Sequence, residues 1–379
     1  MVRSMNYSFE EKLYIWLSHV FETNASWANR LIELNGGIVN LYYRVSEGSA
    51  KIPKGNIGEK RRVLKKLASM SKIDGLIEKL EANSIRAITQ ISKGYPQMLK
   101  GIYDPPLVLY ERGSKSLKDI KLPFAIVGSR HCTEYGDRMS RMFAHTLAEY
   151  GMNIVSGLAY GCDALAAQGA LQSSKNEFPT LGILGQGVLV DKHDSTSKLM
   201  EQVISRGLIL SEMLPDSPPS RFSYPMRNRI ISGMSEGLLV VEAGEHSGTM
   251  ITANAAMEQG RMIFAIPGRL TDRMSMGTNY LIKCGAAQTV YDPAEILDCF
   301  GLTSKRFIVK ESSEKCDKQA ESLSGDSKML YELLLKGEKS FDELCEMSVL
   351  PTDKLNLYLT ELEFSGLIKQ LPGRVYVTE

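Results

Sequence analysis

No stretch of the chain approaches the roughly 18 consecutive apolar residues that a membrane-spanning helix requires, and the opening MVRSMNYSFEEKLYIW carries no apolar leader. The expectation is a cytoplasmic protein that is neither exported nor embedded. The six cysteines (132, 162, 284, 299, 316 and 345) form no CxxC pair, which removes the usual spacings for a zinc site and for a disulfide framework. A reducing compartment fits best. The five histidines (19, 131, 145, 193 and 246) never recur four residues apart, so no helical metal pair exists. Neither a GxGxxG turn after the first strand-like run nor a GxxxxGK[ST] loop is present, and dinucleotide binding and P-loop hydrolysis lose their main signals. Ser195 to Lys198 spells SxxK, but without companion motifs it reads as a helix start. No cofactor, metal or catalytic residue is expected.

A net charge of +1 hides a gradient. Residues 1–120 hold 19 basic and 12 acidic side chains, 121–300 hold 15 and 18, and 301–379 hold 11 and 14. The middle of the chain has no broad positive field, so any polyanion it binds must meet a focal cluster of cations.

With 43% hydrophobic and 23% charged residues over 379 positions, the composition is that of an ordinary globular protein with several domains. Residues 1–85 repeat apolar side chains at helical spacing, as in EEKLYIWLSHVF and in ASWANRLIELNGG, which stops at Gly36 and Gly37. They read as a helical module of the sterile-alpha-motif or helix-hairpin-helix kind. Within it, KRRVLKK puts five basic residues on a third helix, either a solvated face or an accessory nucleic-acid contact. From Pro106 the texture changes, and residues 86–302 read as the core domain. PLVLY, FAIVG, NIVSG, TLGILG, LILSE, GLLVVEA, MIFAIPG and AQTVY are strand-like, with amphipathic helices between most of them. One such helix aligns Met139, Met142, Phe143, Leu147 and Tyr150 before Gly151, and another aligns Leu199, Met200, Val203 and Ile204 before Gly207. Alternation of this kind predicts an α/β fold, a doubly wound and mostly parallel sheet.

Residues 303–328 form a polar linker in this reading. The last segment, 329–379, carries helices around Met329–Leu335, Phe341–Met347 and Thr352–Phe364 and then a hairpin on Pro372 and Gly373, a winged-helix outline. Its third helix has Lys354 as the sole basic residue beside Asp353, Glu361 and Glu363. Docking of a protein partner is favoured over reading of duplex DNA.

Ligands of open α/β sheets sit beyond the C-terminal ends of the strands. There the sequence delivers Gly128-Ser129-Arg130, Ser156-Gly157, Gly185-Gln186-Gly187, Ser211-Glu212, Ser247-Gly248-Thr249 and Pro267-Gly268. Repeated Gly, Ser and Thr at one edge point to a phosphorylated ligand, because bare backbone amides and hydroxyls approach phosphate oxygens closely. The stretch SRFSYPMRNRIISG adds Arg221, Arg227 and Arg229 with Phe222, Tyr224 and Asn228. Arginine holds phosphate in bidentate fashion and aromatic faces stack on unpaired bases, which together describe a single-stranded nucleic-acid track. A second reading has Arg227 and Arg229 pairing with Glu212 or Glu242 to hold loops together, and the two roles are compatible.

These residues also carry a family resemblance. Residues 124–291, through AIVGSR with Tyr135-Gly136, IVSGLAYGCDALAAQGAL, LILSE, YPMRNRIISGMSEGLLVVEAGEHSGTMITANAAMEQGRMIFAIPG and GTNYLIKCGA, resemble the Rossmann-like core of the DNA-processing protein A (DprA/Smf) family. DPPLVLYERG ahead of the core agrees as well. The resemblance implies a bacterial cytoplasmic homodimer that binds and protects single-stranded DNA and loads recombinase A during natural transformation, without enzymatic activity. Carried over by motif, it implies phosphate contacts from Gly128, Ser129 and Arg130, from Ser156 and Gly157, from Arg227, Asn228 and Arg229, and from Ser247, Gly248 and Thr249, with Phe222 alongside. The family's GxGxxxxYPxxN stretch is only half kept: GQGVLVDKHDSTSKLM retains Gly185 and Gly187 but loses Tyr-Pro and Asn. Lys192 and His193 are therefore not counted as contacts.

Two alternatives stand beside this one. Nucleotide phosphoribohydrolases use a related sheet with a catalytic Glu on the helix after a Gly-rich loop, whereas MITANAAMEQ offers no carboxylate before Glu258, and Glu242 and Glu245 precede the loop. A scaffold that has lost its ligand is the other, opposed by the retained arginines and glycines.

Overall fold

A computed structural model describes residues 6–22, 24–53, 58–190, 196–245, 247–302, 325–335, 337–348, 350–365, 367–371 and 373–378, with the backbone alone at 58–61. Residues 303–324 of the polar linker, Lys192, His193, Ser195, His246 and Pro372 lie outside these. Among the described residues no helix is long and apolar enough to cross a membrane. The chain forms two compact units, Met1–Ser304 and Lys305–Glu379.

The first unit opens with helices α1 (Phe9–Ser18), α2 (Ala25–Leu34), α3 (Ile38–Glu47), α4 (Gly58–Leu67) and α5 (Met70–Ala82). Strand β1 (Arg86–Thr89), helix α6 (Gln97–Lys100) and strand β2 (Val108–Gly113) follow. Strand and helix then alternate through β3 (Pro123–Val127), α7 (Glu134–Glu149), β4 (Asn153–Ser156), α8 (Cys162–Leu171), β5 (Thr180–Ile183), α9 (Ser197–Arg206) and β6 (Leu208–Ser211). The unit closes with α10 (Ser223–Gly233), β7 (Gly237–Val240), α11 (Gly248–Glu258), β8 (Met262–Ala265), α12 (Met276–Lys283), β9 (Gln288–Thr289) and α13 (Pro293–Cys299).

Nine strands make one sheet in the order β1-β2-β6-β5-β4-β3-β7-β8-β9. Only β2 runs against its neighbours, pairing antiparallel with β1 and β6, and the strands from β6 to β9 are parallel. The short apolar runs dictate this. Every residue of β3, β4, β5, β6 and β7 is buried, as parallel strands covered on both faces must be. Alternate residues serve opposite cores: Phe124, Ile126, Leu239 and Val241 pack under α7 and α13, while Ala125, Val127, Leu238 and Val240 pack under α10 and α11. A third core joins Trp16, Leu31 and Leu41 of the N-terminal helices to Val108 and Tyr110 of β2 and to Ala167 of α8. The strand order reverses at β3, which lies between β4 and β7, and that switch point opens the crevice where the site is found.

The second unit holds α14 (Gly325–Leu335), β10 (Lys339–Ser340), α15 (Phe341–Ser348), α16 (Thr352–Phe364), β11 (Ile368–Leu371) and β12 (Val375–Thr378). Its three strands pair in the order β10-β12-β11 over a core of Leu330, Leu344, Leu355, Leu359 and Tyr376. This is the winged-helix arrangement that the sequence predicts.

Candidate functional site

Three elements converge beyond the end of β3: its own turn at 128–131, the start of α11 at Ser247–Thr252, and the segment 219–231 leading into and along α10. They enclose a cavity of about 730 Å³, also reached by Ala159 and Asp163 from the β4 turn. Gly128, Ser129, Arg130, Arg227, Asn228, Ser247, Gly248 and Thr249 line it together, eight of the residues singled out from sequence. The other turns do not converge there. Ser156 is fully buried, and its hydroxyl accepts from Leu158 N at 3.3 Å. A side chain at Gly187 would strike Pro215 O at 2.1 Å, and at Gly185 it would meet the Tyr224 ring at 2.9 Å, so those glycines serve close packing. Gly268 abuts Ser275 and Asn279 away from the cavity.

The inner wall of the cavity is a buried polar frame. Asp163, 7% exposed, accepts from Gly157 N at 2.9 Å and from Gly128 N at 3.3 Å. Burial pushes its carboxyl above the usual range, and the Arg227 guanidinium opposes that shift. Arg227, 5% exposed, donates to Gly157 O at 2.7 Å and to Ile183 O, and burial lowers its own pKa. It shares the inward face of α10 with Ile230 and Ile231. Arg227 therefore stitches the β4 and β5 turns together, and its guanidinium is taken up by main-chain carbonyls. Gly161 holds a left-handed φ of +77°, and a side chain there would lie 2.2 Å from Ser129 O, so only glycine lets α8 start this close to the β3 turn.

Arg229 is engaged in the interior too. It meets Glu212 at 2.7 Å and Asp104 at 3.3 Å, and Asp104 in turn accepts from Ser26 N at 2.7 Å. This bears out the Glu212 pairing weighed from sequence and ties α10 to the N-terminal helices. Glu242 takes a different place. It is 1% exposed and accepts from Thr133 N at 2.9 Å and from the Thr133 hydroxyl.

The accessible cations sit at the rim. Arg130 is exposed with its guanidinium 5.4 Å from the Tyr224 ring centre, and Arg221 is exposed at 5.1 Å from the Phe222 ring. Phe222 itself is 69% exposed. Opposite them the N-cap of α11, Ser247, makes no capping bond, and its hydroxyl is buried with no hydrogen-bond partner among the described residues. The Asn228 amide reaches Gly248 O at 3.5 Å and braces that turn. Two arginine–aromatic pairs facing an uncapped helix start can hold an anion and stack flat groups. For acid–base work the cavity offers Asp163, whose oxygens already serve two amides, and the exposed His131 at its edge. Glu258 lies at the last residue of α11, remote from its N-terminus.

Sequence reasoning placed Arg221 and Tyr224 in the single-strand track and weighed Glu242 only as an arginine partner, and it gave Asp163 no role. For Asp163 a signal existed: it lies three, four and seven residues before Ala166, Ala167 and Ala170, all on the buried face of α8.

Comparison with known proteins covers the same stretch of chain. A family model described as DNA recombination-mediator protein A matches residues 86–301, and a DprA winged helix domain model matches 314–374. Protein Smf of Escherichia coli is 36% identical over 301 residues, covering 78% of each chain. The DNA processing protein DprA of Streptococcus pneumoniae is 40% identical over 193 residues, 51% of this chain and 66% of that one. An X-ray structure of the Streptococcus pneumoniae protein superposes with a TM-score of 0.57 at 28% identity, over 78% of this chain and 98% of that chain. DNA processing protein A from Helicobacter pylori, studied for its single-stranded DNA binding mode, gives a TM-score of 0.50 at 30% identity over 57% and 95%.

Proposed function

Because the chain belongs to the DNA recombination-mediator protein A family, we propose that its first unit binds single-stranded DNA along the mouth of the β3–β7 crevice. The observation that carries this reading is the juxtaposition at one cavity of the Arg130–Tyr224 pair and of Arg221, with Phe222 beside it just outside the lining, and the uncapped start of α11. Phosphates contact Arg130, Arg221, Ser247 and the amides of Gly248 and Thr249, while Phe222 and Tyr224 stack on bases. Gly128, Ser129 and Asn228 shape the same wall. Ser156, Gly157, Gly185, Gly187 and Arg229 act from behind it, and Arg227 from its inner face, by fixing the turns.

Resting on the family resemblance, the proposal extends to a wider role: a homodimer that protects incoming single strands and loads recombinase A in natural transformation, by binding alone and within the cytoplasm. In this scheme residues 1–85 form a helical module, 86–302 the DNA-binding core, 303–328 a linker, and 329–379 a winged helix that meets a protein partner.

Fluorescence anisotropy with an oligo-dT strand and the matching duplex at two salt concentrations tests the proposal. Single-strand preference is expected, with log K falling against log salt by about 0.7 for each phosphate neutralised. Equal affinity for duplex, or none for either, would refute it.

A further inference from the structure

In open α/β folds the helix after the first strand of the switch point offers its N-terminus to a ligand phosphate. Here that helix is α7, and its N-terminus is occupied from within. Glu242, one residue past the buried run that ends at Val241, turns its carboxylate onto the N-cap Thr133, accepting from both its amide and its hydroxyl. The fit is close: a side chain at Gly136, in the first turn, would meet Glu242 Oε2 at 2.4 Å. The neighbouring turns are treated likewise, with Asp163 taking the amides of Gly128 and Gly157.

Resting on the single-strand reading above, we infer that Glu242 is a specificity-determining residue: a resident anion that fills the phosphate seat at the first strand–helix turn. A terminal phosphate monoester, which carries close to two negative charges at neutral pH, meets a fixed carboxylate there. The rim beside Ser247, whose hydroxyl is itself buried, meets phosphates through separate contacts with Arg130 and Arg221, each weak for a single anion and cumulative along a continuous strand. The crevice thereby refuses free nucleotides, abundant in any cell, and keeps its affinity for the polymer.

The test measures the melting temperature of the full chain as wild type, Glu242→Ala and Glu242→Gln, in chloride, acetate, inorganic phosphate or adenosine monophosphate at matched ionic strength. The same samples are titrated with labelled oligo-dT. Wild type is expected to respond to none of these anions beyond chloride. Glu242→Ala should melt lower and regain about 2–4 °C in acetate and in phosphate as the small anion enters the vacated seat. Glu242→Gln, which keeps the volume and an acceptor for the Thr133 amide, should show no such gain. A wild type stabilised saturably by adenosine monophosphate overturns the inference, as does a folded Glu242→Ala with no anion response beyond wild type. Should Glu242→Ala not fold, wild type and Glu242→Gln decide by competition: adenosine monophosphate that displaces oligo-dT from either one overturns it. Failure of wild type to bind oligo-dT would instead strike the single-strand reading, whatever the anions do.

Discussion

Replacing Arg227 with alanine separates framework from contact more sharply than any other single change. The side chain is 5% exposed and donates to the carbonyls of Gly157 and Ile183, and its charge faces the buried Asp163. Its removal leaves two carbonyls without that donor and a carboxylate without its opposing cation. Leaving two buried carbonyls without their charged donor costs about 1–3 kcal/mol apiece, a large share of the roughly 5–15 kcal/mol that holds a typical domain. Urea unfolding followed by the fluorescence of Trp16 and Trp27, both in the N-terminal helices of the same unit, measures it. Asp163→Asn alone should cost about 1–3 kcal/mol, because the amide cannot accept from both glycine N–H groups with equal ease. The double variant should cost less than the sum by about 0.5–3 kcal/mol, since the uncompensated charge is gone. Arg227→Ala that unfolds within about 0.5 kcal/mol of wild type yet loses DNA binding would refute the framework role and return Arg227 to the contact surface.

Three further outcomes are expected. Phe222→Ala should leave stability within about 0.5 kcal/mol and weaken oligo-dT binding by about 5- to 150-fold, the worth of one stacked base, as read by anisotropy. Gly187→Ala should lower stability by about 1–3 kcal/mol, because its new methyl meets Pro215 O at 2.1 Å and overpacked interiors yield at such a cost; a thermal melt suffices to see it. Burial raises the Glu212 carboxyl from 4.5 to about 7 against the opposing pull of Arg229. The folded state thus holds a proton that the unfolded chain has released between those values, so this stabilising contribution is full below about pH 4.5 and is lost as pH rises through about 7. Glu212→Gln should flatten that decline, by up to ~3 kcal/mol in the wild-type-minus-variant curve.

Much of the fold is legible in the sequence for one reason: buried parallel strands have few ways to look. FAIV, NIVS, LILS and GLLV are short, mostly apolar and separated by helices, and they became β3, β4, β6 and β7. Strand β1 escaped because RAIT buries alternate residues only and lies at the sheet's edge. Its Arg86 pairs with the buried Glu111 of β2, a contact no local pattern announces.

The site was legible in composition more than in direction. Counting arginines in SRFSYPMRNRIISG places three cations near the crevice, but it does not say which way each points. Helical spacing does: Arg227 lies three and four residues before Ile230 and Ile231 and goes inward with them. Arg130 and Arg221 precede or follow no such stripe and remain exposed. Glu242 is harder, since its partner Thr133 is 109 residues away, and only the tertiary fold brings the end of β7 to the start of α7.

The central claim is a location, and photo-crosslinking tests it most directly. The full chain, bound to a single strand carrying 5-iododeoxyuridine at successive positions, is irradiated, digested and mapped by mass spectrometry. Crosslinks are predicted at Phe222 and Tyr224, the aromatic partners of Arg221 and Arg130 at the cavity mouth. Crosslinks confined to the basic helix α4 or to the C-terminal unit, with none in residues 219–224, would contradict it.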